Sequence, residues 1–180
     1  AMPAVSTAVA HPCDEASLTG AMEAAEAGLI VPILVGPKAK ITALATKLGI
    51  SLDGVEIVDA PHSQAAAAKA VEIVRSGRAE VLMKGSLHTD ELLAEVTKRE
   101  TGLRTARRIS HVFIMDVPGH RETLFITDAA INIFPDLDTK RDIVQNAIDL
   151  HLGLGLGEPR VAILAAVETI SPKMPSTLDA

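Results

Sequence analysis

Short apolar runs alternate with alanine-rich amphipathic segments in the first half of the chain, and this alternation restricts the possible folds most strongly. Runs rich in valine, isoleucine and leucine at residues 5–10, 30–35, 55–58 and 81–83 predict strands, and each precedes a segment with helical spacing of apolar side chains. Strands that alternate with helices form parallel sheets with helical crossovers. The pattern therefore predicts a three-layer α/β/α fold with a parallel first sheet.

The predicted helices carry start and stop signals. Asp14 and Ser63 are expected to cap the first and third helices, because short polar side chains accept hydrogen bonds from free amide groups there. Gly28 and Gly49 are expected to end the first and second helices. Asp138 is expected to cap a later helix. These signals indicate compact helices between the strands.

Composition limits the kind of protein that this chain can be. Hydrophobic residues make up 48% of it but aromatic residues only 2%, so the core must consist of alanine, valine, isoleucine and leucine, which suits parallel strands under helices. The net charge of −6 argues against nonspecific nucleic-acid binding. With Cys13 as the only cysteine, a disulfide framework is excluded and a reducing cytoplasm is expected. The longest apolar runs are shorter than the roughly 18 residues of a membrane span, so no membrane association is expected.

The alternation of predicted strands and helices stops at a polar, arginine-rich connector at residues 101–110. Predicted strands at 112–117 and 124–127 are separated by a turn too short for a helical crossover, so they predict an antiparallel hairpin that begins a mixed second sheet. A last buried strand is predicted at 161–167. We expect a first α/β domain at 1–106 and an incomplete second α/β domain at 107–180, in a chain that is part of a longer polypeptide.

Polar and charged side chains collect where predicted strands end and in the connector. In open α/β sheets, ligands bind beyond the carboxyl ends of the strands. Lysine, arginine, hydroxyl groups and helix amino termini are the groups that hold phosphate. The candidates are Lys84, Ser86 and His88; Thr127, Asp128 and Asn132; Glu168, Thr169, Ser171, Lys173, Ser176 and Thr177; and Arg104, Arg107 and Arg108.

Several of these candidates also fit plainer interpretations. Lys84 fits a solvated loop lysine as well as a ligand-binding group, and Asp128 fits a ligand-orienting role and a structural role equally well. His88 precedes a helix, where a histidine is about as often a cap as a catalyst. Cys13 follows a strand, where a low-pKa nucleophile would be possible, but a small, half-buried residue is favoured.

Other features favour structural roles. Met83 and Met115 are predicted to be core residues within strands. Histidines 11, 62, 111, 120 and 151 lack paired metal-ligand spacing and are interpreted as structural or surface groups. The glycine-rich stretch 153–157 follows a helix rather than a strand, so it predicts a helix stop and not a dinucleotide-binding turn.

Longer stretches of the sequence carry a resemblance to a known family. VLMKGSLHTDELL, GLRTARRISHVF, LFITDAAINIFPDL, KRDIVQNAIDL and AVETISPKMPSTLDA resemble the phosphate acetyl/butyryltransferase family across essentially the whole chain. The combination of KGSLHT, ITDAAIN and PKMPSTLDA is specific. The resemblance implies a two-domain fold related to isocitrate and isopropylmalate dehydrogenases, a homodimer, and an active site in the cleft between domains.

The resemblance also implies an activity, which is the interconversion of acyl-CoA and orthophosphate with acyl phosphate and free CoA. CoA is a substrate in this reaction, so neither a cofactor nor a metal is implied. The acetyl-specific branch has an arginine in the helix after the KG-type loop, whereas Leu92-Leu93-Ala94 has none. The chain therefore resembles the butyryltransferase branch more closely. Relatives also occur fused behind an enoyl-CoA hydratase domain, which is a possible upstream partner.

Transfer of the acyl group builds an oxyanion beside an already anionic phosphate, so fixed donors should supply most of the stabilisation. The expected phosphate- and CoA-binding residues are Ser86, Arg104, Arg108, Lys173, Ser176 and Thr177, and the expected catalytic residues are Lys84, His88 and Asp128. The family continues past PSTLDA with a serine-arginine-aspartate cluster thought to deprotonate the CoA thiol. A molecule that ends at Ala180 is therefore expected to show no turnover and at most weak phosphate or CoA binding.

Two other functions compete with this interpretation. A metal-dependent, NAD-linked decarboxylating dehydrogenase on the same fold would need clustered aspartates and a tyrosine-lysine pair, and the chain has no tyrosine. A noncatalytic module that binds phosphate or acyl-CoA fits the length of the chain and the lack of the catalytic base.

Overall fold

The computed structural model describes residues 3–165 and 167–180. The contacts between Cα atoms divide the chain into two compact units, Ala1–Arg104 and Thr105–Ala180. The predicted domain boundary between residues 106 and 107 falls in the same connector. The first unit contains β1 (Val5–Ala10), α1 (Glu15–Glu26), β2 (Ile30–Gly36), α2 (Lys38–Leu48), β3 (Glu56–Asp59), α3 (Ser63–Arg75), β4 (Val81–Lys84) and α4 (Thr89–Val96).

The four strands of the first unit form one parallel sheet in the order β3-β2-β1-β4. Register pairs Ala10 of β1 with Val35 of β2 on one side and with Lys84 of β4 on the other. All four strands had been predicted from their apolar runs, and each lies within a residue or two of its predicted position. The parallel first sheet is thus confirmed.

Helices cover both faces of this sheet. Val9 and Leu34 point to one face and pack in a buried cluster with residues of α1 and α2. Ala10 and Val35, their neighbours along the same strands, point to the other face and pack with residues of α3 and α4. Because successive strand residues alternate between faces, one apolar run supplies both layers of the core. The predicted three-layer arrangement is confirmed.

The core is aliphatic, as the composition predicted. The largest fully buried side chains include Leu18, Leu34, Ile41 and Ile73. Phe113, by contrast, is 47% exposed. Small and branched side chains therefore fill the space between sheet and helices without help from aromatic rings.

Helix ends in the first unit agree with the sequence signals at Asp14, Gly28 and Gly49 and differ at Ser63; Gly28 follows α1 with a left-handed φ of 70°. The Asp14 carboxylate accepts a hydrogen bond from the amide of Ser17 at the start of α1, and Gly49 ends α2 with a left-handed φ of 69°. At α3, however, the imidazole of His62 is the cap and accepts from the amide of Ala65 over 3.2 Å. Ser63, the predicted cap, instead donates its hydroxyl to Glu91 over 3.3 Å.

The second unit contains β5 (Val112–Met115), β6 (Leu124–Thr127), α5 (Leu137–Gly153) and α6 (Pro175–Asp179). β5 and β6 pair in antiparallel register, so the predicted hairpin is confirmed, although its first strand ends two residues early. The prediction of Asp138 as the cap of α5 is wrong. Asp136 holds that position and accepts from the amide of Thr139 over 2.8 Å, which places Asp138 within the first turn.

The predicted buried strand at 161–167 is also wrong in the residues that the structure describes. Residues 161–165 and 167 form no strand, and Leu164 is 88% exposed. Residue 166 lies outside the described residues. A strand needs a neighbour for its backbone hydrogen bonds, and in the described part of this unit β5 and β6 bond only to each other. Met115, predicted to be core, is 40% exposed because residues on both faces of the hairpin remain accessible.

None of the helices in residues 3–165 and 167–180 combines the length and the apolar character that a bilayer crossing requires.

Leu34→Ala should lower the free energy of unfolding of this chain by about 2–5 kcal/mol, because it leaves a cavity in the core between the sheet and helices α1 and α2. Urea unfolding followed by circular dichroism measures the change. Leu29→Ala is the matched control, since Leu29 is 63% exposed, and it should change stability by at most about 0.5 kcal/mol. Equal losses for the two variants would contradict the assigned core.

Candidate active site

The parallel strands of the first unit all end at the same edge of the sheet, and the strand order reverses there. The chain adds β2 and β3 on one side of β1 and then places β4 on the other side, so the switch point lies between β1 and β4. Open α/β sheets bind ligands at such a switch point, beyond the carboxyl ends of the strands. Lys84 is the last residue of β4. The structure therefore places the KGSLH segment at the position where this fold binds ligands.

In the residues that the structure describes, the Lys84 ammonium group has one hydrogen-bond partner, and that contact is long. Its side chain is exposed, and Nζ lies 3.4 Å from the carbonyl oxygen of Gly85. Hydrogen bonds from Ser17 hold the pKa of Asp14 below its ordinary value, and the positive charge of Lys84 lowers it further. The ammonium group thus lies beside the end of β1 and keeps donors for an anionic ligand.

The turn after Lys84 is tied to the end of β1 and to the residues that follow it by several hydrogen bonds. The amide of Gly85 donates to Ala10 over 2.9 Å, and the amide and hydroxyl of Ser86 both donate to the carbonyl of His11 over 2.9 Å. The Ser86 oxygen also accepts from the amide of Cys13 over 3.1 Å. The single hydroxyl proton of Ser86 is therefore engaged inside the protein, whereas the sequence predicted that it would bind phosphate.

His11 was interpreted from sequence as a structural or surface group, and its importance at this edge was missed. Its backbone has a positive φ of 55°, and its imidazole Nδ1 lies 3.0 Å from the carbonyl oxygen of Ser86. The available signal was its position directly after β1. That signal becomes informative only when β4 is known to be the neighbour of β1, and strand order is a tertiary property.

The other two candidates at this edge have contrasting environments. His88 occupies the N-cap position of α4, but its exposed imidazole makes no capping hydrogen bond, so its catalytic role stays a prediction. Cys13 is buried, and burial raises the pKa of its thiol. A raised pKa disfavours the thiolate, which agrees with a small packed residue rather than a nucleophile.

In the second unit, Asp128 closes a tight turn after β6. Its carboxylate accepts hydrogen bonds from the amides of His111, Ala130, Ile131 and Asn132 and from the side-chain amide of Asn132. Burial raises the pKa of Asp128, but these hydrogen bonds together bring it below the ordinary value. Of its two possible roles, the geometry favours orientation of neighbouring protein groups.

The loop before the last helix is also held by its own polar groups. The buried Thr177 hydroxyl donates toward the carbonyls of Ser171 and Met174 and accepts from the amide of Ser171. Lys173 is exposed at the tip of this loop, and Ser176 is half-buried. Thr177 therefore shapes the loop, whereas Lys173 remains the group that could reach an anion.

One face of α5 holds the arginine-rich connector. Asp142 accepts from the backbone amide of Arg108, and Asn146 donates to its carbonyl. Arg107 pairs with Asp149 at 2.6 Å, so its charge is already compensated. In the described residues, no ion pair involves the side chain of Arg104 or Arg108, and both side chains are exposed. Arg107 is thus a structural group, while Arg104 and Arg108 retain their charge for a ligand.

A shallow, open depression of about 700 Å³ lies at the same edge of the sheet, away from the KGSLH segment. It opens at the ends of β2 and β3, and none of the predicted site residues lines it. Its lining residues are Pro37, Lys38, Ala39, Thr42, Ala43, Asp59 and Pro61. Within residues 3–165 and 167–180, no three histidine, cysteine or acidic side chains lie close enough together to hold a metal ion.

Gly85→Ala should destabilise the chain by about 1–3 kcal/mol, because a Cβ atom there would lie 2.4 Å from the carbonyl oxygen of Ala10 and neither backbone can move freely. Gly20→Ala is the control, since a Cβ atom in that helix meets nothing within 4 Å and alanine favours helices. Thermal unfolding should show opposite signs for the two variants. A neutral Gly85→Ala would contradict the close approach of the turn to β1.

Asp128→Asn should lower the free energy of unfolding by about 1–2 kcal/mol at neutral pH, because an amide donor would face the amides of Asn132. The pKa of Asp128 is lowered in the folded state, so its stabilisation is present above the ordinary value of 3.8 and is lost as pH falls through the folded value. The difference between wild type and variant in urea unfolding should therefore shrink below about pH 4. A constant difference down to pH 2 would contradict a stabilising carboxylate.

Comparisons with known proteins show what this chain is similar to. The family described as Phosphate acetyl/butaryl transferase matches residues 62–180. The phosphate acetyltransferase of Rhizobium meliloti is 71% identical over 178 residues, which are 99% of this chain and 56% of the relative. The phosphate butyryltransferase of Clostridium acetobutylicum is 42% identical over 99% of this chain and 59% of the relative. The chain thus spans little more than half the length of these relatives.

Solved structures agree as well. A branched-chain phosphotransacylase from Enterococcus faecalis V583 superposes with a TM-score of 0.79 at 30% identity, over 98% of this chain and 61% of that one. A phosphotransacetylase from Streptococcus pyogenes superposes with a TM-score of 0.77 over 96% and 62%, and at 18% identity it supports the fold alone. The higher identity to a relative named acetyltransferase gives no support to the predicted closeness to the butyryltransferase branch. The match over residues 62–180 and these similarities confirm the predicted fold and show that the chain belongs to the phosphate acetyl/butyryltransferase family.

Proposed function

We propose that this chain carries the phosphate-binding part of an acyltransferase that interconverts acyl-CoA and orthophosphate with acyl phosphate and CoA. The observation that carries the proposal is the Lys84 ammonium group, exposed at the switch point of the parallel sheet and bonded only weakly to Gly85. A doubly charged phosphate placed there would gain a charge-assisted hydrogen bond.

The proposed mechanism follows from where charge develops. When the CoA thiolate attacks the carbonyl carbon of an acyl phosphate, a tetrahedral oxyanion forms, and its collapse breaks the bond to the phosphate oxygen. Both the oxyanion and the departing phosphate are negative, so a fixed cation stabilises the transition state. We assign this role to Lys84, and the resemblance to the family assigns further positive charge to Lys173 and to Arg104 or Arg108.

The hydroxyl groups have a different part in this proposal. Ser86 and Thr177 hold the turns that present Lys84 and Lys173, because their hydroxyl protons are already donated to backbone carbonyls. Ser176, whose side chain is half-buried, is the hydroxyl that we assign to the phosphate itself. His88 is exposed beside Lys84 and is proposed to donate to the acyl carbonyl or the phosphate, and Asp128 to orient neighbouring groups. No cofactor takes part, since CoA is itself a substrate.

The finer properties of the protein rest on the resemblance of its sequence to the family. We propose that it acts as a homodimer in the cytoplasm, with acetyl or butyryl as the transferred group and an enoyl-CoA hydratase domain as a possible fused partner. A noncatalytic module that binds phosphate or acyl-CoA is the second candidate, because an exposed cation such as Lys84 can hold an anion without turnover. Calorimetry with phosphate and CoA, beside an activity assay of the same preparation, separates binding from turnover.

Lys84→Ala should lower kcat/KM for acyl phosphate by about 100-fold or more, because a fixed charge at the developing oxyanion is lost. The assay follows thioester formation in a chimera in which the remaining residues of the Rhizobium meliloti relative follow Ala180. Lys47→Ala removes an equally exposed lysine on α2 and should leave kcat/KM unchanged. An unchanged kcat/KM in Lys84→Ala would refute the proposed role of this edge.

A further inference from the structure

Both the backbone and the side chain of His11 contact the turn that follows Lys84. Its φ of 55° lies in the left-handed region, which residues with a Cβ atom rarely adopt. This conformation directs the His11 carbonyl toward Ser86, where it accepts from the amide and the hydroxyl of that residue. The same carbonyl also accepts from the amide of Cys13 over 2.8 Å.

The imidazole of His11 adds a bond in the opposite direction. Nδ1 lies 3.0 Å from the carbonyl oxygen of Ser86, and a carbonyl oxygen can only accept. The Ser86 hydroxyl oxygen also lies 3.3 Å from Nδ1, but its proton goes to the His11 carbonyl over 2.9 Å. The bond to the Ser86 carbonyl therefore requires the proton on Nδ1, so that the neutral ring has its lone pair on Nε2. Protonation of the ring leaves the Nδ1–H donor in place, and the bond is kept in both charge states.

These contacts hold Ser86 from both sides. One residue, His11, accepts from the amide of Ser86 and donates to its carbonyl, while Gly85 lies too close to the same backbone for a Cβ atom. Lys84 directly precedes this clamped pair at the end of β4.

We propose that His11 is a positioning residue that acts through Lys84, by locking the turn of residues 84–86 with its left-handed backbone and its Nδ1–H donor. The inference rests on the proposed function, since Lys84 is the group that it serves. His11 itself need not touch the substrate.

Two substitutions distinguish the effect of the His11 Nδ1–H donor from the effect of its left-handed backbone conformation. His11→Asn keeps a side-chain N–H at the position of Nδ1 and tolerates the left-handed conformation, whereas His11→Gly keeps the conformation and removes the donor. In the chimera, His11→Gly should lower kcat/KM for acyl phosphate by about 10- to 100-fold through misplacement of Lys84. His11→Asn should remain within about twofold of wild type.

The combination with Lys84→Ala distinguishes positioning from general damage to the fold. If His11 acts through Lys84, then His11→Gly should cost no more than about twofold in the Lys84→Ala background. An equal loss in both backgrounds, or full activity of His11→Gly, overturns the inference while the effect of Lys84→Ala still supports the proposed function. An unchanged kcat/KM in Lys84→Ala overturns the proposed function and this inference with it.

A measurement on the unmodified chain tests the geometry even if a variant fails to fold. Nitrogen-15 NMR of the histidine side chains at a pH where the rings are neutral should show the Nδ1–H tautomer for His11, assigned by its loss in His11→Asn. The Nε2–H tautomer would mean that the bond to the Ser86 carbonyl does not exist and would overturn the inference.

Discussion

The close approach of the turn after β4 to the carboxyl end of β1 is the contact on which the candidate site depends. Residues 84–86 bond to Ala10, His11 and Cys13, across more than 70 positions of sequence. The approach is possible because residue 85 is glycine, since any side chain there would collide with two backbone carbonyls. This contact joins the ends of β1 and β4 by hydrogen bonds and leaves the Lys84 side chain exposed beside them.

The second unit, taken by itself, also has polar groups that are bonded internally and cations that are exposed. Polar groups with a proton to donate or a carboxylate to offer, such as Thr177 and Asp128, are used within their own loops. The exposed cations Lys173 and Arg108 remain for an anion. Hydroxyls and carboxylates that are satisfied internally make rigid frames, and rigid frames are what electrostatic stabilisation of a transition state requires. Long cationic side chains can then supply the charge.

The elements of the fold were largely predictable because they are local. Apolar runs predicted the six strands, and Asp14 and Gly49 marked helix ends through bonds to residues nearby in sequence. Predictions failed where the outcome depends on partners from elsewhere. The run at 161–167 has the composition of a strand, yet its described residues have no neighbouring strand to pair with. Likewise, Ser63 could have capped α3, but its hydroxyl bonds to Glu91, and the preceding His62 holds the cap.

The sequence by itself determined that the first unit is a parallel sheet covered by helices with an aliphatic core. Strand length, the spacing of apolar residues and side-chain size are local properties that can be read from consecutive residues. It also determined which charges could bind phosphate, and its motifs indicated the family. Only the tertiary structure decided that β4 lies beside β1, and with it that the Ser86 hydroxyl bonds to His11 and that His11 contacts the turn after Lys84. Strand order brings together residues far apart in sequence, and the hydrogen bonds that a hydroxyl or imidazole makes there depend on distances that no local pattern encodes.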